Sequence, residues 1–390
     1  MSDFRKLFSR SLQAAPGRLH FAAHSHHLWP DASFDGHTQA WEDAARFADH
    51  KWDKIAATVV PEAQMHLERE LGVPRQSVVF APNTHEFVMR LMSCLKPNAR
   101  VLCTDGEFHS FRRQSQRLAE EGAIALTVIP VAPFATFAER FTEALSQQAF
   151  DLVFVSHVFF NSGYVFDGAL DLHRHAHTDT GLIVVDGYHG FMAVPSDAGQ
   201  AAHRQFYLSG GYKYAMAGEG VCFLSCPPGD ERPLYTGWYA EFETLSDAVG
   251  DQVAYPKSAG RFAGSTYDPS GLYRFNHIQR MLTTEGLTTA TISQHVQPLM
   301  QRFAEAVASR RAGALCEAEL INPITDTDRQ ARFLAYRHPQ AAQWKADLES
   351  GGVITDVRGD VLRFGFGLYH TADEVDELIY RCQEVIEPGS

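Results

Sequence analysis

The chain has 390 residues, of which 45% are hydrophobic and 21% charged, which is typical of a folded protein and argues against long disorder. Its formal net charge of −13 argues against a general binder of nucleic acid or of anionic membranes, because both need a cationic surface. The sequence contains no apolar run near the ~18 residues of a membrane span, no apolar core of a signal peptide at its start, and too few cysteines for a disulfide framework. We therefore expect a cytoplasmic protein with no membrane or nucleic-acid partner.

Short apolar runs alternate with longer amphipathic stretches in the middle of the chain. The runs predicted to be strands are 77–82, 100–105, 125–131, 152–158, 182–186, 206–209 and 221–225. Several of them lack alternation of apolar and polar residues, which is typical of strands covered on both faces, as in a parallel sheet. Strands that alternate with helices in this way predict an α/β domain with a doubly wound sheet.

The two flanks of this region have different patterns. Residues 231–275 are rich in Pro, Gly, Tyr and Trp and predict a long functional loop, followed by a helical pattern over 278–310. Further strands are predicted at 332–337, 353–356 and 361–366, and a last helix with Thr371 as its N-cap is predicted to end near residue 385. The predicted units are an N-terminal segment at 1–50 that packs on the small domain, a large α/β domain at 51–270, and a small C-terminal α+β domain at 271–390.

Asp186 and Lys213 indicate the chemistry most directly. Asp186 lies at the C-terminal end of an apolar run, where ligands dock on parallel sheets, and Lys213 lies in a glycine-rich, aromatic segment after the next run. A lysine in an enclosed pocket loses its charge readily and can bond covalently to an aldehyde. A carboxylate against a pyridine nitrogen keeps that nitrogen protonated, so that the ring withdraws electrons. Either residue alone would be explained more simply as structural, but together they suit pyridoxal phosphate.

Two motifs resemble those of fold-type-I pyridoxal-phosphate enzymes, in the class V aminotransferase superfamily. They are Asp-Gly-Tyr-His at 186–189 and Ser-Gly-Gly-Tyr-Lys-Tyr at 209–214. The Tyr-Lys-Tyr run and the segment Leu-Arg-Phe-Gly-Phe-Gly-Leu-Tyr at 362–369 are most similar to kynureninase. The resemblance covers nearly the whole chain. It implies the type I transferase fold, with a mainly parallel doubly wound sheet in the large domain and a smaller α+β C-terminal domain.

The resemblance also implies roles for single residues. Lys213 would bind the cofactor covalently, Asp186 would pair with its pyridine nitrogen, and Tyr212 would touch its phosphate and relay protons. The remaining cofactor-binding candidates are His189, Asn83, Thr84, Phe108, Ser156, Trp238 and Ser265. Asn83 and Thr84 open a predicted helix, whose N-terminus suits a phosphate independently of any family. Trp238 and Ser265 match positions that reach the phosphate from a neighbouring subunit, which implies a homodimer with shared active sites.

Arg363 and Ser25 are the candidates for binding the substrate. A guanidinium can hold the α-carboxylate of an amino acid with two hydrogen bonds, and Arg363 lies in an otherwise apolar run. Its alternative role is a buried ion pair, and Arg358 is a second candidate. Ser25 lies in the segment Ala-Ala-His-Ser-His-His at 22–27, which differs from the kynureninase pattern near the substrate. Because such departures cluster where the substrate would bind, the residues indicate the cofactor better than the substrate.

The resemblance implies a hydrolase that cleaves the Cβ–Cγ bond of kynurenine or of a related aryl-ketone amino acid. A class V aminotransferase that passes the amino group to a keto acid is the alternative within the fold. A desulfurase is disfavoured because Cys316 is the only cysteine that precedes Arg363 closely.

Two alternatives lie outside this fold. A metal-dependent amidohydrolase barrel would use His24 and His26, but it would leave Lys213 without a role. A cofactor-free binding protein is disfavoured because both Asp186 and Lys213 are present. We expect pyridoxal phosphate as the cofactor and no metal.

Overall fold

The computed structural model of the chain describes residues 4–245, 250–322 and 330–386. Its strands are β1 (Leu19–His20), β2 (Val78–Ala81), β3 (Ala99–Thr104), β4 (Ile124–Ile129), β5 (Leu152–Ser156), β6 (Leu182–Asp186), β7 (Phe206–Gly210), β8 (Cys222–Ser225), β9 (Glu319–Leu320), β10 (Phe333–Arg337), β11 (Val353–Ile354), β12 (Asp356–Arg358) and β13 (Val361–Gly365). Its α-helices are α1 (Ser9–Gln13), α2 (Asp31–Phe47), α3 (Lys51–Lys54), α4 (Val60–Leu71), α5 (Thr84–Met92), α6 (His109–Glu120), α7 (Phe134–Gln147), α8 (Ser270–Thr284), α9 (Thr289–Ala308), α10 (Ala341–Ser350) and α11 (Ala372–Val385). A π-helical segment, Ile55–Val59, joins α3 to α4.

The large sheet contains strands β2 to β8, in the order β2-β8-β7-β6-β5-β3-β4. Strands β3 to β7 pair in parallel, and β8 is antiparallel to both of its neighbours. Every residue of β5 is buried, with Leu152 and Phe154 in one apolar core and Val153 and Val155 in another. Successive side chains of a strand point to opposite faces, so both faces of the sheet are covered. The predicted mainly parallel, doubly wound sheet is confirmed.

The parallel strands bring the ends of distant segments to one edge of the sheet. Ser156 at the end of β5 is in register with Asp186 at the end of β6, and Asp186 is in register with Leu208 of β7. The loop after β7 then carries Lys213. Parallel strands place the residues that follow them side by side, which is why ligand sites form at this edge.

A second sheet lies in the C-terminal part of the chain. Its strands are antiparallel in the order β12-β13-β10-β9, and β1 pairs in parallel with β11. The ring of Phe8 contacts the ring of Tyr369, with 5.2 Å between their centroids. The N-terminal segment therefore contacts the C-terminal part of the chain, while the domain boundaries themselves stay predictions.

Two predicted elements differ from the structure for local reasons. The helical pattern over 278–310 forms two helices, because Gly286 takes a φ of +67° after α8 and the Thr288 side chain caps α9. Helix α8 begins at Ser270, inside the predicted loop, where the Asp268 carboxylate accepts hydrogen bonds from the Ser270 amide and hydroxyl, both at 2.9 Å. The predicted strand at 353–356 is divided between β11 and β12 at Thr355.

The amidohydrolase alternative is wrong in its fold. The large sheet is open, with β2 and β4 at its edges, whereas that alternative requires a closed barrel. Within the described ranges, no three His, Cys, Asp or Glu side chains are grouped so that they could hold a metal ion. None of the described helices is long and apolar enough to cross a membrane.

Candidate active site

A cavity of about 210 Å³ opens at the edge of the large sheet where the parallel strands end. Of the residues predicted from the sequence, those that line it are Asn83, Thr84, Phe108, Ser156, Asp186, His189, Tyr212 and Lys213. Its other lining residues are Pro82, Val158, Phe160, Tyr188, Glu219, Gly220 and Cys222. The structure therefore brings eight of the twelve predicted site residues to one cavity, and their chemical roles stay predictions.

Lys213 is buried, and its amine faces the interior of the cavity. Its Nζ donates a hydrogen bond to Nε2 of His189 at 2.6 Å. Burial lowers the pKa of Lys213 to about 7; Arg363 acts in the same direction, and Asp186 opposes it. Near neutral pH a large fraction of the amine is therefore uncharged, which is the form that attacks an aldehyde.

His189 is a neutral imidazole in this environment. Burial, with a further contribution from Lys213, holds the pKa of His189 well below its usual range. When Lys213 is the donor to Nε2, the ring proton is on Nδ1. Nδ1 is buried and has no hydrogen-bond partner among the described residues. Such an unpaired donor beside a cavity indicates that a ligand completes the site.

Asp186 ends β6 with its carboxylate turned to the cavity. The amide of Tyr188 donates to its Oδ1 at 2.9 Å. Burial raises the pKa of Asp186 to about 6, and both this hydrogen bond and the charge of Lys213 oppose the rise. The next residue must be glycine, because a Cβ on Gly187 would lie 2.1 Å from the ring of Tyr207. A carboxylate in this position would gain from a protonated ring nitrogen, whose charge would favour its ionised form.

The N-terminus of α5 forms the polar end of the cavity. Asn83 caps this helix, and its Oδ1 accepts a hydrogen bond from the Glu86 amide at 3.1 Å. Thr84 is the first residue of the helix, and both Asn83 and Thr84 line the cavity. Free amides at a helix N-terminus, together with a hydroxyl, suit a phosphate.

Aromatic rings form much of the remaining wall. The Nζ atom of Lys213 lies 5.7 Å from the ring centre of Phe108, 5.6 Å from that of Tyr188 and 5.5 Å from that of Tyr212. The ring of Phe160 meets that of Phe108 edge to face, with 5.5 Å between centroids. Burial raises the pKa of Tyr212, so its hydroxyl keeps its proton at neutral pH.

Arg363 lies on β13, beside the cavity wall, and is 2% exposed. Its Nη2 forms an ion pair with Asp356, its Nη1 donates to the backbone oxygen of Phe160, and its Nε is buried without a partner among the described residues. Arg358 also donates to Asp356, at 2.8 Å. The buried ion pair that was the alternative role for Arg363 is therefore present, and substrate binding by Arg363 stays a prediction.

Three other predicted residues lie outside the cavity of this chain. Ser25 does not line the cavity; its hydroxyl lies 3.4 Å from Nδ1 of His26, whose ring is 5.5 Å from that of Tyr212. Trp238 donates from Nε1 to the Thr266 hydroxyl at 3.2 Å, and Ser265 lines a separate hollow. A role for Trp238 and Ser265 in a neighbouring subunit stays a prediction.

Glu107 is a residue beside the cavity that the sequence prediction missed. It is 1% exposed; its Oε1 accepts hydrogen bonds from the Thr104 hydroxyl at 2.6 Å and the Ser156 amide at 3.3 Å, and its Oε2 lies 2.6 Å from the Ser156 hydroxyl. Glu107 follows β3 closely, whereas Asp186 ends β6. The rule that selected Asp186, an acid at the C-terminal end of a buried strand, could therefore have found Glu107 as well.

Taken together, these groups fit pyridoxal phosphate. Lys213 would bind its aldehyde, Asp186 its ring nitrogen, and the start of α5 its phosphate, while Phe108 offers an aromatic face. The fit rests on two features of the structure: the unpaired Nδ1 of His189 and an Asp186 carboxylate that has no ion-pair partner among the described residues.

Comparisons with known proteins agree with this fit. Residues 37–324 match the family described as Aminotransferase class-V, and residues 292–381 match the Kynureninase C-terminal domain. A probable cysteine desulfurase of Vibrio cholerae is 21% identical over 305 residues, which are 76% of this chain and 73% of that protein.

Solved structures share the fold at low sequence identity. The apo cysteine desulfurase of Thermococcus onnurineus NA1 has a TM-score of 0.79 and is 18% identical, with 99% of this chain and 98% of that chain covered. The cysteine desulfurase CsdA of Escherichia coli has a TM-score of 0.80 and is 16% identical, with 98% and 97% covered. A mutant of C-DES with glycine covalently linked to its pyridoxal-phosphate cofactor has a TM-score of 0.80 and is 17% identical, with 96% and 99% covered. Because the family match spans most of the sequence, this chain belongs to the class V aminotransferase family, and its cofactor is pyridoxal phosphate.

Proposed function

We propose that this protein, as a cytoplasmic homodimer, cleaves the Cβ–Cγ bond of kynurenine or of a related aryl-ketone amino acid with water. The observation that carries the proposal is the cavity wall, where Phe108, Phe160, Tyr188 and Tyr212 surround Lys213 close to Arg363. Aromatic walls suit an aryl side chain through stacked and edge-to-face contacts. The match to the kynureninase C-terminal domain supports the proposal, because residues 292–381 include Arg363.

Three side chains have separate roles in activating the α-carbon of the substrate. Bound pyridoxal phosphate supplies an electron-withdrawing ring that stabilises negative charge on that carbon. Asp186 keeps a proton on the ring nitrogen, and Arg363 binds the α-carboxylate of the substrate. Lys213 accepts the α-proton, since its pKa of about 7 gives a neutral amine at physiological pH.

Tyr212 and one water molecule complete the proposed cleavage. The oxygen of the water adds to the γ-carbonyl carbon, the Cβ–Cγ bond breaks, and its electron pair stays on Cβ. The Tyr212 hydroxyl, protonated because burial raises its pKa, gives a proton to Cβ and is reprotonated from the water. Lys213 returns the α-proton to the α-carbon, so the substrate and one water become an aryl carboxylic acid and alanine; kynurenine would yield anthranilate.

Transamination is the second candidate, because the class V aminotransferase match covers residues 37–324. In that reaction Lys213 would deliver the α-proton to a different atom, and a keto acid would collect the amino group. The two reactions differ in their requirement for a keto acid, which makes them easy to separate.

Desulfuration, the activity named for several relatives, is disfavoured by the protonation state of Cys222, the cysteine among the residues that line the cavity. It needs a thiolate nucleophile. Cys222 lines the cavity, but burial raises the pKa of its thiol to about 12, and it lies 3.7 Å from the Tyr188 hydroxyl. The thiol of Cys222 is therefore protonated at neutral pH and a poor nucleophile.

An exposed apolar surface supports the proposed dimer. Leu234, Tyr235, Trp238, Phe242 and Leu245 are between 45% and 78% exposed. So many large apolar side chains in one short segment are typical of an interaction surface. A second copy of the chain would cover them and bring Trp238 to the phosphate end of the partner's cavity.

Assays with several amino acids test the proposal. The purified holoenzyme is incubated with kynurenine, 3-hydroxykynurenine, cysteine and common amino acids, each with and without a keto acid. We expect an aryl carboxylate and alanine without a keto acid. Turnover that requires a keto acid would establish transamination instead, and sulfide released from cysteine would establish desulfuration.

A further inference from the structure

Glu107 is a buried acid that has no basic side chain as a partner among the described residues. It is 1% exposed, and its hydrogen-bond partners among the described residues are two hydroxyls and one amide. Burial raises the pKa of Glu107 to about 8, and the nearby charge of Asp186 adds to the rise. The carboxyl of Glu107 is therefore mostly protonated at physiological pH.

The hydrogen bonds indicate which oxygen carries the proton. Oε1 accepts from the Thr104 hydroxyl and from the Ser156 amide, and Thr104 is held in that orientation because its own oxygen accepts from the Gly106 amide at 3.2 Å. Oε2 has only the Ser156 hydroxyl, at 2.6 Å. Two donors on Oε1 leave Oε2 as the place for the proton, with the Ser156 oxygen as its acceptor.

This direction of donation matters because Ser156 also lines the cavity. A Ser hydroxyl has one hydrogen, so it can donate either to Glu107 or into the cavity. We propose that Glu107 is a positioning residue that holds a proton on Oε2, donates it to the Ser156 oxygen, and so turns the Ser156 hydrogen toward an acceptor on the bound cofactor. The proposal rests on the cofactor site and on no particular substrate.

When Glu107 is protonated, Asp186 carries the negative charge at this edge of the sheet. Ser156 and Asp186 are in register on β5 and β6, so the two acids lie on either side of Ser156 at the sheet edge. The other titratable groups near Glu107 are Cys103 on β3 and Asp105 in the turn that follows it, with Lys213 beyond Asp186. Two like charges so close in a buried site would oppose each other, and the proton on Glu107 prevents this.

The first test measures the pH dependence of the stability of the apoenzyme in urea for the wild type, Glu107→Gln and Glu139→Gln. The pKa of Glu107 is higher in the folded chain, about 8, than its ordinary value of 4.5, so wild-type stability should fall as the pH rises between these values. Lys213 titrates in all variants and cancels in the difference from wild type, and the coupling of Glu107 to Asp186 is already part of the raised pKa of Glu107. Glu139 is an exposed acid and serves as the matched control.

We expect Glu107→Gln to gain stability relative to the wild type as the pH rises to about 8, and the difference for Glu139→Gln to stay constant. A constant difference for Glu107→Gln would overturn the proposal. If that variant does not fold, infrared spectra of the wild type at several pH values serve as the test instead. They should show a protonated carboxyl band that is lost above pH 8 and that shifts in Ser156→Ala. A wild type without that band, or a band unmoved in Ser156→Ala, would equally refute the proposed proton.

The second test measures the affinity of the apoenzyme for pyridoxal phosphate at pH 6.5 and pH 9. The amide of Gln can donate to Ser156 at both pH values, whereas Glu107 loses its proton. Between pH 6.5 and pH 9, the wild type should therefore lose about tenfold more affinity for the cofactor than Glu107→Gln does. This factor corresponds to about one hydrogen bond. Equal losses in both proteins would refute the proposed orientation of Ser156. Neither test uses a substrate, so failure of the proposed cleavage would leave both results interpretable.

Discussion

Replacing Arg363 with alanine should weaken both folding and substrate binding. Arg363 is 2% exposed, and its removal would break the ion pair with Asp356 and the hydrogen bond to the Phe160 oxygen. Breaking a buried ion pair costs about 3–5 kcal/mol. Asp356 keeps Arg358 as a partner at 2.8 Å, so we expect a loss near the lower limit, about 3 kcal/mol.

Catalysis should also be affected if Arg363 holds the substrate carboxylate. Removing one partner of a buried charged hydrogen bond costs about 2–5 kcal/mol, so kcat/KM should fall by at least about 30-fold. Arg363→Lys should recover part of this loss, because lysine keeps the charge but cannot form two parallel hydrogen bonds.

Arg358→Ala is the matched control for the shared ion pair. The side chain of Arg358 is 42% exposed and contacts the same Asp356, so its removal should cost no more than about 1 kcal/mol. Urea unfolding and steady-state kinetics on all three variants separate the two roles. If Arg363→Ala is destabilised as expected but keeps kcat/KM within about threefold, the side chain is only a structural ion pair, and the substrate role is wrong.

Three further predictions concern the cavity and the proposed interface. The pH profile of kcat, which reports the substrate-bound enzyme, should fall on the acid side of about pH 7, because Lys213 accepts the α-proton there as a free amine and is protonated below its pKa; a flat profile between pH 6 and pH 8 would contradict this. Trp238→Ala should lower cofactor affinity by about tenfold in a protein that still sediments as a dimer, and an unchanged affinity would refute a role across the interface. Cys222→Ser should keep cleavage of the aryl-ketone substrate, since a thiol with a pKa of about 12 is no nucleophile; loss of sulfide release from cysteine in this variant would favour desulfuration.

Local patterns predicted the large domain well. The runs that form β5 and β6 are apolar without alternation. This pattern predicts burial on both faces of the sheet from the sequence alone. The predicted C-terminal helix begins where Thr371 caps it, because a capping box is written in adjacent residues. The division between α8 and α9 was missed, since one glycine at positive φ interrupts a pattern that otherwise continues.

The sequence alone determined the fold class and predicted the pair Lys213 and Asp186, because each of these residues lies in a short motif that neighbouring residues define. Only the tertiary structure decided the partners of Glu107 and Arg363. Glu107 bonds to Ser156, 49 residues away, because β3 and β5 are neighbours in the sheet, and Arg363 meets Asp356 because β12 and β13 are paired in that register. Sheet order and register join residues that no local periodicity relates, so the charges and protons of this site became visible only when the strands were in place.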